Sequence, residues 1–459
     1  MSPQEIPYLS IREASTLIGL KKLSPVELVR AVLARIDRIE PKVHAFVTLR
    51  AEEALLAARA VEREITRKKY RGPLHGIPVG VKDTHYTKGI KTTAATPALA
   101  DFVPSFDATV VERLRDAGAI LLGKMNLPEF SFGGLTPGTY NPWDLSRTPG
   151  GSSGGSAAAL AAGFLLGATG GDTTGSIRGP ASYCGVVGLK PTFGLVSRYG
   201  ITVISWSLDH VGPMTRTVED NALMLNVLAG FDANDRSSVE VKVPNYAKAL
   251  SRKVRGLRMG IPRPSLLEGV HDDVLRSFHE AVGVFKKLGV KIREIDIPFM
   301  REAEAAQRII RISEASAYHE TFLKNQPQRY GPSNVRRDVE AGSLITAAQY
   351  IRAQRVRGQI LLELEKALED LDVLLTPGES EPAGEPQRGK FNFKSYFNLT
   401  GLPGLALPSG FSVSPPGLPL GVQIVAGPFE EEMVYAVGHA YQSVTDWHTR
   451  RPPSESKGS

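Results

Sequence analysis

By length alone the chain of 459 residues has room for about two or three domains. Its 42% hydrophobic and 22% charged content is that of an ordinary soluble globular protein, and aromatics at 7% are too sparse for a nucleic-acid stacking platform. The net charge of +7 comes from scattered basic residues, and runs such as Arg67-Lys68-Lys69 are short, so it reads as a solvated surface rather than a polyanion-binding stripe. The single cysteine, Cys184, excludes an intramolecular disulfide and sits among small apolar neighbours, where a buried inert thiol is expected. The start Met1-Ser2-Pro3-Gln4-Glu5 lacks the pattern of a signal peptide, and no apolar run has the length of a membrane span. A cytoplasmic protein with no membrane association is the expectation.

The first strong element signal is Ser24-Pro25-Val26-Glu27, a cap, a first-turn proline and a glutamate placed to close a capping box. Leu28, Val29, Val32, Leu33, Ile36 and Ile39 follow at helical spacing. A second helix is predicted over Ala51 to Arg67. From Gly76 the pattern alternates: short apolar runs at Ile77–Val81 and Ala119–Leu122 read as buried strands, and Ala108–Ala117 reads as a helix capped by Asp107. Further on come a helix at Val218–Leu228, a strand at Leu257–Ile261, a helix at His271–Leu288 begun by His271-Asp272-Asp273, and a strand at Val290–Ile297. Helix dominates from Arg301 to Leu371, and a strand over Leu371–Leu375 ends at Thr376-Pro377. The Pro/Gly/Glu-rich stretch Gly378–Gly389 reads as a mobile loop. Strands near Leu405–Leu407 and Val422–Val425, a helix from Glu430 and a frayed tail at 451–459 complete the chain.

The alternation predicts an α/β fold: a single large α/β/α layered domain over 1–450, with a mixed central sheet covered by helices. Within it, 1–70 supplies N-terminal helices, 71–230 the core that carries the motifs, and 231–450 the remainder.

Two glycine-serine stretches stand out, Gly150-Gly151-Ser152-Ser153-Gly154-Gly155-Ser156 and Gly170-Gly171-Asp172-Thr173-Thr174-Gly175-Ser176. A phosphate cradle fits poorly, because a P-loop ends in Gly-Lys-Ser/Thr and here Gly155 precedes Ser156 and Ala157. Gly150 to Gly154 matches Gly-x-Ser-x-Gly, and His439 and His448 follow in workable order. A nucleophile elbow, however, needs a strand before it, and Asp144 to Pro149 is turn-like. The third reading is a serine activated by lysine. Lys82 follows Val79-Gly80-Val81, where burial can lower an ammonium pKa from about 10.4 by several units. Consecutive amides from Thr173 to Ser176 would supply an oxyanion hole. The nine histidines lack a pair at zinc-ligand spacing, so no metal and no cofactor are expected.

The chain resembles the amidase signature family of serine hydrolases. The resemblance is densest from Gly76 to Leu228 and continues more loosely to about Trp447. It rests on Gly76-Ile77-Pro78 through Lys82-Asp83, on Gly123-Lys124 with Pro128-Glu129-Phe130, on Asn141-Pro142-Trp143-Asp144 running into the serine block, and on Cys184 to Pro191. It implies Ser176 as nucleophile, Lys82 as base and Ser152 as a relay serine held by a non-proline cis peptide. Thr173, Thr174, Gly175 and Ser176 would form the oxyanion hole, with Asp172, Arg178 and Ser153 as supports. The chain departs from the family at Gly171, where Ser or Thr is usual, and at Thr174, where glycine is usual; the β-branched Thr174 is expected to reshape the site.

Between Lys190 and Glu219 the likeness is to the glutaminase component of tRNA-dependent amidotransferases. That family has an aspartate for the glutamine amine where this chain, counted back from Asn398-Leu399-Thr400-Gly401, has Phe391. On that ground the amidotransferase stands as the alternative. The leading expectation is a hydrolase of carboxylic amides, extending to carbamates (urethanes) or esters because the rim Phe132 to Tyr140 is short. Met125, Leu127, Phe130, Trp206, Phe391 and Phe393 are the candidates for an apolar substrate pocket. The partner expected is a small amide or carbamate substrate, with no nucleic acid, in a monomer or homodimer. A second alternative, an inactive binding protein of the same fold, is favoured only by Thr174.

Overall fold

The computed structural model describes residues 2, 4–385, 389 and 391–453. Residues 386–388 of the loop expected to be mobile, and 454–459 of the expected tail, lie outside the described residues. The strands are β1 (Phe46–Leu49), β2 (Pro78–Lys82), β3 (Ile120–Met125), β4 (Gly167–Asp172), β5 (Val187–Lys190), β6 (His210–Thr215), β7 (Arg258–Pro262), β8 (Lys291–Ile295), β9 (Val373–Pro377), β10 (Gly404–Phe411) and β11 (Pro419–Val425). They form one mixed sheet of 11 strands, in the order β1-β3-β2-β4-β6-β5-β10-β11-β9-β7-β8. Strand β2 runs parallel to both β3 and β4, and β7 parallel to β8 and β9. The pairs β4–β6, β6–β5, β5–β10, β10–β11 and β11–β9 are antiparallel. This is the α/β architecture expected, a mixed sheet covered by helices.

The elements follow from local chemistry. Ser24 accepts from the amides of Val26 and Glu27 while Glu27 reaches back, so the capping box is complete ahead of the helix Pro25–Val43. His271 caps the helix Asp272–Lys287 through the amide of Asp273. All five residues of β2 are buried, as a central strand flanked on both edges requires. The expected cap Asp107 does not cap. The helix Thr109–Asp116 starts from Ala108 with no side-chain cap, and Asp107 instead accepts from the Lys88 amide at 2.7 Å.

Reading the sequence missed β4 and the helix Gly154–Ala161, which bracket the site. The β4 sequence Gly-Ala-Thr-Gly-Gly-Asp lacks the β-branched run that marks a strand, and it pairs because β2 and β6 hold its two edges. The helix is made of small residues buried all round. Its glycines allow close approach: a Cβ on Gly155 would lie 2.5 Å from the Asn126 amide nitrogen and 2.6 Å from the Ala45 carbonyl oxygen. No helix among the described residues is long and apolar enough to cross a membrane.

Because both clashing neighbours are backbone, Gly155→Ala is expected to cost at least about 1–3 kcal/mol. A drop in the thermal unfolding midpoint relative to Ala157→Gly in the same helix would register it; an unchanged midpoint would contradict the packing described.

Candidate active site

Lys82 ends β2 and is 1% exposed. Its Nζ donates to Ser152 Oγ at 2.6 Å, to Ser153 Oγ at 3.1 Å and to the Gly171 carbonyl at 3.4 Å. Burial pushes the ammonium pKa down to about 7, against the opposing pull of Asp172 and Asp209. A large fraction of Lys82 is therefore neutral near physiological pH. Gly171 bears on the same atom: a Cβ there would stand 3.5 Å from Lys82 Nζ, an ordinary contact, so the glycine leaves the lysine with one fewer side-chain neighbour than a serine would provide.

Ser152 follows a cis Gly151–Ser152 peptide at the turn into the helix Gly154–Ala161. Ser153 ties this turn to the second loop. Its Oγ donates to the Gly171 carbonyl and accepts from the Gly171 amide, both at 3.1 Å, and its own amide donates to the Ser176 carbonyl at 3.1 Å.

Asp172 organises the second loop from the end of β4. Its carboxylate accepts from the amides of Gly175 (2.7 Å) and Ile177 (3.0 Å), from Arg178 Nε and Nη2 (both 3.0 Å), and from Asn398 Nδ2 (2.9 Å). Burial alone would raise this carboxyl, but the Arg178 guanidinium outweighs it and holds it below the usual range. Arg178 also donates to the Lys394 carbonyl at 2.9 Å and to the side chains of Asn398 and Gln423. Thr173 Oγ1 donates to Asp209 at 2.7 Å. Gly175 adopts φ +114°, and a Cβ there would strike the Lys394 side chain at 2.7 Å, so the position demands glycine twice over.

One expected oxyanion donor is corrected by this arrangement. The Gly175 amide is taken by Asp172 and cannot also serve an oxyanion, whereas the amides of Thr173, Thr174 and Ser176 donate to no acceptor among the described residues. Ser176 is 7% exposed and lines a cavity of about 1040 Å³ together with Thr174 and Gly175. No hydrogen bond joins Ser152 to Ser176 in this structure; such links are commonly long until a substrate is bound.

The cavity overturns the expected apolar pocket. Met125, Leu127, Phe130 and Phe393 are buried in the core, Phe130 against the His319 ring at 4.5 Å. Trp206 is 46% exposed against Tyr318, and Phe391 packs against the main core. None of the six lines the cavity. Four of the six went where the hydrophobic effect takes such groups, into the interior. The walls instead set charged side chains among glycines, Leu135 and Tyr183. Glu304, Gln307, Arg308 and Arg311 come from the helix Met300–Asn325. Lys394 pairs with Glu379, and Arg147 with Glu385 at 2.6 Å. Sequence reading missed all of these; a charged stripe spaced i, i+3, i+4, i+7 was the available signal, but such a stripe usually marks a solvated face.

Burial pushes the Cys184 thiol up, as for an inert core cysteine. Among the described residues no group of three His, Cys, Asp or Glu is arranged to hold a metal ion.

A family model described as Amidase matches residues 27–435. Among curated relatives, a glutamyl-tRNA(Gln) amidotransferase subunit from Chloroflexus aggregans is 42% identical, over 98% of this chain and 99% of its own length. The solved structure of the protein of the same name from Thermotoga maritima is 35% identical, with a TM-score of 0.83 over 99% of each chain. Native peptide amidase from Stenotrophomonas maltophilia is 32% identical, with a TM-score of 0.87 over 98% of this chain and 99% of its own. The relatives' name, which makes each of them one component of an enzyme of glutamyl-tRNA, overturns the expectation of no nucleic-acid partner and of a monomer or homodimer. Composition reports only direct contact with a polyanion, and a subunit that meets tRNA through other subunits needs no basic stripe or aromatic platform of its own. The match of the family model, together with likenesses that run nearly end to end, establishes that the chain belongs to the amidase signature family.

Proposed function

We propose that this chain is the amide-cleaving component of a tRNA-dependent amidotransferase, releasing ammonia from the side-chain amide of glutamine for transfer to a tRNA-bound glutamate. Ser176 attacks the carboxamide carbon, and its proton passes through Ser152 to neutral Lys82. The oxyanion that forms is met by the free amides of Thr173, Thr174 and Ser176. The relay then returns the proton to the leaving nitrogen, ammonia departs, and water hydrolyses the glutamyl ester on Ser176. Asp172, Arg178 and Ser153 hold the two loops in register without touching substrate.

The observation that carries the choice of substrate is the charged lining of the cavity, which suits a small zwitterion better than an apolar acyl group. The carboxylate of Glu304, paired with no cation among the described residues, offers an ammonium the partner that the aspartate replaced by Phe391 would otherwise be. That same Phe391 favours a second reading, a stand-alone amidase acting on other amides and on esters or carbamates.

The test is glutamate and ammonia release from glutamine by the chain alone, then formation of glutaminyl-tRNA from glutamyl-tRNA(Gln) when the other components from its source are added. Turnover of neutral aryl or peptide amides with none of glutamine in either setting would reject the amidotransferase and leave the second reading. Labelling by a fluorophosphonate, lost in Ser176→Ala, separates both from an inactive binding protein.

Two outcomes concern the triad. Lys82 acts only when neutral, so kcat/KM is expected to rise with pH through an inflection near 7 and to fall below it as the ammonium forms. Ser176→Ala and Lys82→Ala should each lower kcat by about 10³-fold or more while leaving the fold intact. A profile flat from pH 6 to 9, or near-normal turnover in Lys82→Ala, would remove the lysine from the mechanism.

A further inference from the structure

One wall of the cavity holds donors that the protein does not use. Gln307 is 7% exposed, and its Nε2 is buried with no hydrogen-bond partner. One turn along the same helix, Arg311 Nε is likewise buried and unpartnered. Arg311 takes part in no ion pair among the described residues; Asp338 attracts it from a distance while Arg308 repels it. Its guanidinium carbon lies 5.7 Å from the centre of the Phe132 ring.

Two of the three carboxylates of the cavity are engaged by cations. Glu379 is held by Lys394, Glu385 by Arg147, and Glu304 accepts from the Asn392 amide at 3.1 Å. The unmet demand is for an acceptor with negative charge. Two arginines and an amide on one helical face repel or waste their donors unless an anion sits among them.

We propose that Gln307 and Arg311 form a carboxylate subsite, so that the substrates of Ser176 are small amides bearing a free carboxylate. The planar guanidinium suits the two oxygens of such a group, and the Gln307 amide adds a further donor. Arg308, exposed at the rim, adds attraction on approach rather than a fixed contact. The inference rests on Ser176 being the nucleophile of this cavity; if the donor is glutamine, the group held is its α-carboxylate.

The experiment compares kcat/KM, read as ammonia release, for glutamine with that for glutamine α-methyl ester, in which a methyl group masks the carboxylate charge. Wild type should prefer the free acid. Arg311→Met should lose about 100-fold on the acid, chiefly in KM, and stay within about threefold on the ester. Gln307→Leu should lose about tenfold on the acid, and Arg311→Lys should recover part of the preference. Equal losses on both substrates, with a lowered unfolding midpoint, would make Arg311 a packing residue and overturn the subsite. Should glutamine not be turned over, succinamate against propionamide reads the subsite by itself. An Arg311-dependent preference for succinamate then keeps the subsite and rejects the amidotransferase, whereas no preference for the acid rejects the subsite.

Discussion

The two serine-bearing loops depend on one buried anion, Asp172. A carboxylate removed from water is tolerable only when its oxygens are met by charge and hydrogen bonds. Here five donors converge on it: two loop amides, two guanidinium nitrogens and one carboxamide. Because two of them are the amides of Gly175 and Ile177, satisfying the charge also dictates the path of the chain between them. Ser176 lies between those two residues, so its position follows from the solvation of Asp172. The amides of Thr173, Thr174 and Ser176, which Asp172 does not engage, keep no acceptor among the described residues.

Lys82 shows the opposite treatment of charge in the same interior. It is as deeply buried as Asp172, but its contacts are two hydroxyls and a carbonyl rather than a carboxylate. Burial without a close counter-ion lowers its proton affinity, whereas the guanidinium beside Asp172 keeps that carboxyl ionised. The two groups are thus driven into different states, one fixed as an anion and one able to exchange a proton, which is the separation acid–base chemistry requires. Ser153 joins the two regions, touching the lysine, Gly171 and the carbonyl of Ser176.

Much of this was legible because glycine and serine patterns report on the backbone. Lys82 at the end of an apolar run, and serines set in glycine turns, carried enough information to group the residues before any distance was known. The Ser24 capping box and the His271 cap were equally readable, since a cap is a local bond. Asp107 was misread as a cap because its carboxylate found the more distant Lys88 amide instead. The cavity walls were not legible for a similar reason. Arg311 and Gln307 sit on a helix whose exposed and enclosed faces are decided by what packs beside it. Large apolar residues near the motifs, such as Met125 and Phe130, were drawn into the core rather than to the cavity.

The partners of Arg178 have a consequence for the order in which the molecule becomes competent. Asn398 and Gln423 lie 220 and 245 positions beyond it, and they reach it through the helix Phe393–Thr400 and through β11. A nascent chain leaving the ribosome would therefore carry every signature residue long before it could hold them. Until the helix Phe393–Thr400 and β11 are in place, the guanidinium that supports Asp172 lacks two of its side-chain acceptors. Contacts of such sequence separation form late and slowly. The arrangement of the loop that bears Ser176 is thereby tied to segments synthesised near the end of the chain.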